Sequence, residues 1–142
     1  MTLRSVAGVS AGDTLPPISH RVTRADLVRY AGASGDFNPL HWDEATAVAA
    51  GLPGVIAHGM LTMALAGGVL VAWAGDPGAV VEYGVRFVKP LVVPPGPDSV
   101  ELEVGARVTE VLPDARVRVD VTATSGGVRL LTAARAVLQL AP

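Results

Sequence analysis

The sequence predicts an α+β domain in which a curved antiparallel sheet wraps one long buried central helix. Three observations predict it. Helix signals dominate the first half of the chain and strand signals the second. No Asp, Glu, Lys or Arg occurs between Ala45 and Gly75, so a helix there is apolar nearly all round and belongs in an interior. Beyond it, Val100–Val104 and Val117–Thr122 alternate apolar with polar residues, the pattern of strands with one wet face.

Taken in order, the first 22 residues are irregular, with turns at Gly12-Asp13 and Pro16-Pro17 and a strand near Ile18–Val22. Thr23, followed three residues later by Asp26, has the form of a capped start, predicting a helix over Arg24–Ala33. Gly35 to His41 reads as a loop. Asp43 caps a short helix through Ala45–Ala50, which Gly51 ends and Pro53-Gly54 keeps ended. The uncharged helix spans Gly59–Trp73 and stops at Asp76-Pro77-Gly78. Four strands follow: Val80–Lys89, the two alternating runs, and Val128–Leu140 after a Ser125-Gly126-Gly127 hairpin turn. Pro94-Pro95-Gly96-Pro97 is a stiff connector rather than a linker, because too little chain flanks it for two cores. One domain over 1–142 is expected.

Hydrophobic residues make up 50% of the 142 residues and charged ones 17%, with a mean hydropathy of +0.44. That is apolar for a monomer of this size and points to surface covered by another subunit. A net charge of −2 and pI near 5.8 give no case for nucleic acid or an anionic membrane as partner. No cysteine is present, which removes disulfides, thiolate metal sites and a Cys nucleophile. The start, Met1 to Val6, lacks the apolar core of a signal peptide, so a cytoplasmic location is expected. Residues 55–74 approach bilayer-spanning length, about 20 residues. His58, Thr62 and Gly67-Gly68 interrupt them, and the strands that follow are amphipathic; no membrane span is expected.

At the edge of the uncharged run, Asp36 and His41 stand five residues apart with Asn38-Pro39 between them. A carboxyl and an imidazole on one spot can remove one proton and deliver another, as adding or removing water across a carbon–carbon bond requires. An imidazole titrates near neutrality, at about 6.5 in peptides, and suits the base. A free carboxyl titrates at about 3.9, and burial would be needed for it to donate a proton. Residue spacing leaves open which group is acid and which is base.

The run Ser34-Gly35-Asp36-Phe37-Asn38-Pro39-Leu40-His41-Trp42-Asp43, with Ile56-Ala57-His58-Gly59-Met60 and Tyr83-Gly84-Val85-Arg86-Phe87, resembles the MaoC-like (R)-specific hydratase/dehydratase family. Within it, the likeness leans to the catalytic subunits of mycobacterial-type (3R)-hydroxyacyl-ACP dehydratases. The resemblance implies a hotdog fold and a hydro-lyase interconverting (3R)-3-hydroxyacyl and trans-2-enoyl thioesters, with acyl-ACP or acyl-CoA as substrate. Dehydration in fatty-acid or mycolic-acid-type elongation would use this reaction. By the same resemblance Asp36 and His41 form the acid/base pair, the Gly59 amide is the oxyanion donor, and Asn38 holds the loop. It also implies a dimer, with itself or with a homologous hotdog subunit, and an acyl tunnel near the interface. No cofactor is expected.

Other readings compete. The fold also serves thioesterases, which generally carry an acidic residue on or beside the central helix; Gly59–Gly75 has none. A non-catalytic acyl-binding subunit would have no need of both Asp36 and His41. His58 reads as a structural histidine near the helix start in preference to a second base, and His20 as a solvated strand residue. The histidines are scattered along the sequence, so no metal site is expected. Trp42, Trp73, Met60 and Met63 read as core, Gly67 and Gly68 as close-packing positions, and Arg86 and Lys89 equally as solvated strand ends or as contacts for a carrier.

Overall fold

The computed structural model describes residues 2–142. Strand β1 (Thr14–Thr23) runs directly into helix α1 (Arg24–Ser34). The junction is a capping box: the Thr23 hydroxyl accepts from the Asp26 amide, and the Asp26 carboxylate accepts from the Thr23 amide at 2.9 Å. The Thr23 hydroxyl also donates to that carboxylate at 2.7 Å; this bond and then the amide hold the Asp26 carboxyl below its ordinary range. Gly35 closes α1 at φ 76°, a left-handed conformation that favours glycine. A 3-10 turn (Pro39–His41) and helix α2 (Glu44–Ala49) follow, the latter capped by Asp43, whose carboxylate accepts from the Thr46 amide at 3.0 Å. Helix α3 (Gly59–Ala74) leads through a second 3-10 turn (Pro77–Ala79) to β2 (Val80–Phe87). The remaining strands are β3 (Ser99–Leu112), β4 (Arg116–Ser125), β5 (Val128–Arg129) and β6 (Leu131–Gln139).

The strands form one antiparallel sheet in the order β1-β3-β4-β6-β2, with β5 beside β4. Alternation places Leu102, Val104 and Val108 of β3 and Val117, Val119 and Val121 of β4 on the inner face. Helix α3 lays Thr62, Ala66, Val69, Leu70 and Ala74 against them. The ring of Tyr83 comes so near the helix that a Cβ on Gly67 would stand 3.0 Å from it. Its hydroxyl donates to the Met63 carbonyl at 3.1 Å, and burial pushes its ionisation up to about 12.

Several expectations are corrected. Pro16-Pro17 lies inside β1, at a register shift between Leu15 and Ile18, because β1 is an edge strand and proline's missing N–H costs no ladder bond there. The first alternating run extends to Leu112. Leu130 splits the last strand in two: its amide bonds Ala123 while its carbonyl accepts from Val88. Five strands therefore follow α3. Helix α3 is buried along a stripe, whereas Met60, Ala64 and Ala72 are exposed, since one sheet covers only one side of a helix. Trp42 and Met60 are also exposed rather than core, while Trp73 and Met63 are partly buried. Among the described residues, no helix is long and apolar enough to cross a membrane.

The two ends of the chain are strapped together. The Arg4 amide donates to the Ala74 carbonyl at 2.8 Å, and the Arg4 guanidinium lies 4.7 Å from the Trp73 ring. The Ala141 amide donates to the Arg4 carbonyl at 2.9 Å, beside a parallel bridge between Ser5 and Ala141.

Candidate active site

The loop after α1 turns back on itself through its own polar groups. Asp36 Oδ1 accepts from the Asn38 amide at 3.1 Å, and Asn38 Oδ1 accepts from the Leu40 amide at 3.2 Å, opening the 3-10 turn that carries His41. The Asp-x-Asn-Pro order thus acts locally, each short side chain capping the backbone two residues on. The Trp42 indole donates to the Phe37 carbonyl at 2.9 Å and closes the loop from outside.

This loop is tied to the segment preceding α3. The Ile56 amide donates to the Leu40 carbonyl at 3.2 Å, and His41 Nδ1 lies 2.7 Å from the Ile56 carbonyl. A carbonyl only accepts, so Nδ1 bears the hydrogen, and Nε2 of the neutral ring keeps its lone pair. That lone pair lies on the Asp36 side, with Nε2 3.9 Å from Oδ2. The gap is too long for a direct hydrogen bond, and a third group placed beside it can reach both.

His58 sits beneath the pair and is 2% exposed. Its ring stacks on that of His41, with centroids 3.7 Å apart and planes inclined by 23°, and Tyr30 meets it edge-on at 4.8 Å. Its Nε2 donates to the Asp36 carbonyl at 3.0 Å. The hydrogen bond expected of His58 near the helix start is present. His20 is corrected: its Nε2 donates to the Leu65 carbonyl at 3.1 Å in a partly buried position.

Gly59 begins α3 immediately after His58, and first-turn amides have no intrahelical partner and sit at the positive end of the helix dipole. A Cβ on Gly59 would stand 3.2 Å from the ring of the exposed Phe87, which would have to shift by a few tenths of an ångström to admit it. The structure therefore brings Asp36, Asn38, His41 and the Gly59 amide to one end of α3. Arg86 and Lys89 are exposed. Sequence reasoning did not find Tyr30 or the Ile56 carbonyl, because both act across tertiary contacts that no local pattern marks.

The Asp36 side chain is 53% exposed, so this chain alone does not supply the burial that a proton-donating carboxyl needs. Phe37, Met60 and Phe87 nearby are exposed too. Two open apolar clefts flank α3: one of about 410 Å³ bounded by Tyr30, Leu61 and Leu65, and one of about 530 Å³ bounded by Ala64, Gly68 and Tyr83.

Nitrogen and oxygen atoms of Asp36, His41 and His58 lie within 4.8 Å of one another, so the scatter of the histidines in sequence does not keep them apart in space. The set fits a cation poorly. Imidazole lone pairs lie in the ring planes, and two stacked rings point them side by side instead of at one ion.

The MaoC like domain family matches residues 9–126. The chain belongs to the MaoC-like family. A 3-hydroxyacyl-thioester dehydratase X of Mycobacterium tuberculosis is 43% identical to this MaoC-like chain over 82 residues, covering 56% of the chain and 28% of that relative. A solved MaoC-like dehydratase superposes with a TM-score of 0.93 at 43% identity, covering 98% of this chain and 43% of that one. The unliganded R-hydratase PhaJ1 from Pseudomonas aeruginosa superposes at 0.84 with 27% identity, covering 98% and 86% respectively. The chain thus spans less than half the length of the first two. These likenesses agree with the hotdog architecture of an antiparallel sheet around a central helix.

Proposed function

We propose that this MaoC-like chain, as one domain over 1–142, is a hydro-lyase interconverting (3R)-3-hydroxyacyl thioesters with trans-2-enoyl thioesters and water. The observation that carries the reading is the 3.9 Å separation of Asp36 Oδ2 and His41 Nε2, set at the amide end of α3.

In dehydration, His41 Nε2 takes the C2 proton, and the C–H electron pair forms the C2–C3 double bond. The C3–O bond breaks as Asp36 hands its proton to the departing hydroxyl, which leaves as water. Negative charge gathering on the thioester oxygen meets the Gly59 amide. The cycle ends with a protonated imidazole and a carboxylate, and a net proton passage from the first to the second resets the site. Hydration runs the same steps backwards, with the water held between the two groups.

A homologous hotdog subunit, or a second copy of this chain, would cover the exposed carboxyl and its apolar surround. An acyl chain would lie along α3, and the step would serve fatty-acid-type elongation with acyl-ACP or acyl-CoA. The test is enoyl-thioester hydration, followed by loss of enoyl absorbance from C4 to C16 substrates, by the chain alone and with a sister subunit. Hydration with product of R configuration supports the proposal. Free-thiol release without loss of the enoyl group would make the protein a thioesterase, and acyl binding without turnover would make it an accessory subunit.

A further inference from the structure

We infer that His58 is a positioning residue for the reaction, setting the Asp36–His41 geometry through its Nε2 hydrogen and its ring face. The inference deepens the hydro-lyase reading and, in its kinetic part, rests on it.

Three facts about this ring argue together. The first is topological. Within residues 34–39 the other hydrogen bonds are local, among them Gly35 amide to the Ala31 carbonyl, Asp36 amide to Ser34 Oγ, Asn38 amide to Asp36 Oδ1, and the Trp42 indole to the Phe37 carbonyl. Among the described residues, only the bond from His58 Nε2 to the Asp36 carbonyl ties this stretch to a distant part of the chain. The His41 end of the loop is anchored separately, at Ile56. Beyond the end of α1, which Gly35 closes by bonding Ala31, the Asp36 end is held in place relative to His41 by His58.

The second fact is the stack. With its Nδ1 bonded to a carbonyl, the His41 ring can still swing about that bond. The His58 face 3.7 Å away limits the swing and keeps Nε2 turned to Asp36. His58 itself is held at the start of α3, where its carbonyl accepts from the Thr62 amide at 3.1 Å.

The third fact is a cost. Among the described residues, His58 Nδ1 is buried and no protein group hydrogen-bonds to it. A buried acceptor left unpaired destabilises a fold, so packing alone would favour an apolar ring here. The residue is therefore explained by what Nε2 and the ring face do for the loop, at some expense of stability.

The role separates from a merely structural one by three substitutions. His58→Phe keeps the ring face, removes the orphan nitrogen and loses the donor. It is expected to melt no lower than about 2 °C below the parent while kcat falls about 10²-fold, the scale of a 1 Å misplacement. KM is expected to stay within about threefold. His58→Gln, whose side-chain amide nitrogen stands near the position of Nε2, recovers at least about tenfold of that loss; His58→Asn, whose amide is too short to reach, does not. Wild-type kcat in His58→Phe, or equal loss in the Gln and Asn variants, overturns the inference. Should the variants not fold, ring-nitrogen NMR of the unaltered protein decides. A hydrogen on His58 Nε2 and on His41 Nδ1 supports the arrangement, and the opposite form of either ring overturns it. This NMR measurement needs no turnover, so a protein that hydrates no enoyl thioester would refute the hydro-lyase reading while leaving the geometry separately readable.

Discussion

Asp36→Asn keeps an acceptor for the Asn38 amide and removes only the ionisable proton. Likewise His41→Asn can still donate to the Ile56 carbonyl while lacking the second nitrogen. Each is expected to lower kcat by about 10²–10⁴-fold with the melting midpoint nearly unchanged, as steady-state hydration and thermal unfolding would show. The Gly59 amide calls for a paired comparison. Gly59→Ala brings a Cβ against Phe87 but keeps the N–H, whereas Gly59→Pro brings a similar bulk and removes it. Proline is compatible with the first position of a helix, and His58 (ψ 134°) already has the extended conformation that a following proline demands. The Pro variant should be about 10²-fold slower than the Ala variant, the scale of one lost oxyanion donor. At this scale the sequence revealed what is local. Asp36, Asn38 and His41 sit within six residues, and their turn chemistry is written in that stretch. The stack of His41 on His58 spans 17 residues of sequence and the Tyr30 edge spans 28, and neither has a periodicity to betray it.

Helix starts were legible for the same reason: Thr23-x-x-Asp26 and Asp43-x-x-Thr46 state their own hydrogen bonds. The Asp26 carboxyl, depressed chiefly by the Thr23 hydroxyl, contributes stability that is present above its unfolded value near 3.8 and lost as pH falls through the lower folded value. Asp26→Ala should therefore lower the melting midpoint by about 1–4 °C at pH 7, with the difference shrinking in acid. Tyr83 makes the opposite case. Its raised folded value means stability kept below pH 10 and lost as pH climbs towards 12, so ultraviolet titration should find one of the two tyrosines ionising late. Strand limits were less legible. Pro16-Pro17 signals a turn unless the strand is known to lie at an edge, and edge position is decided by pairing between distant segments. Helix α3 was read as buried all round because composition records apolarity and not how many neighbours one chain can supply.

That difference governs the whole molecule. Strand β2 ends the sheet, with Val81 exposed on it, and the open side of α3 carries Ala64 and Ala72. An uncovered edge, an apolar helix face and a half-exposed carboxyl are what a partner subunit would seal. Sedimentation should find the protein associated, as a dimer or with a sister chain. Val81→Arg should weaken that association by about tenfold or more and depress turnover with it.

Because Arg4 and Ala141 are bonded across the strap at the far end of α3, residues 4 and 141 stand side by side. A bridge of a few Gly and Ser residues would join residue 142 to residue 2, and the circle could be opened anew at the exposed Pro95–Pro97 connector without disturbing a single rung of the ladder. Such a permuted polypeptide should refold to the same topology. Two copies threaded in tandem through the same junction would make a covalent pair.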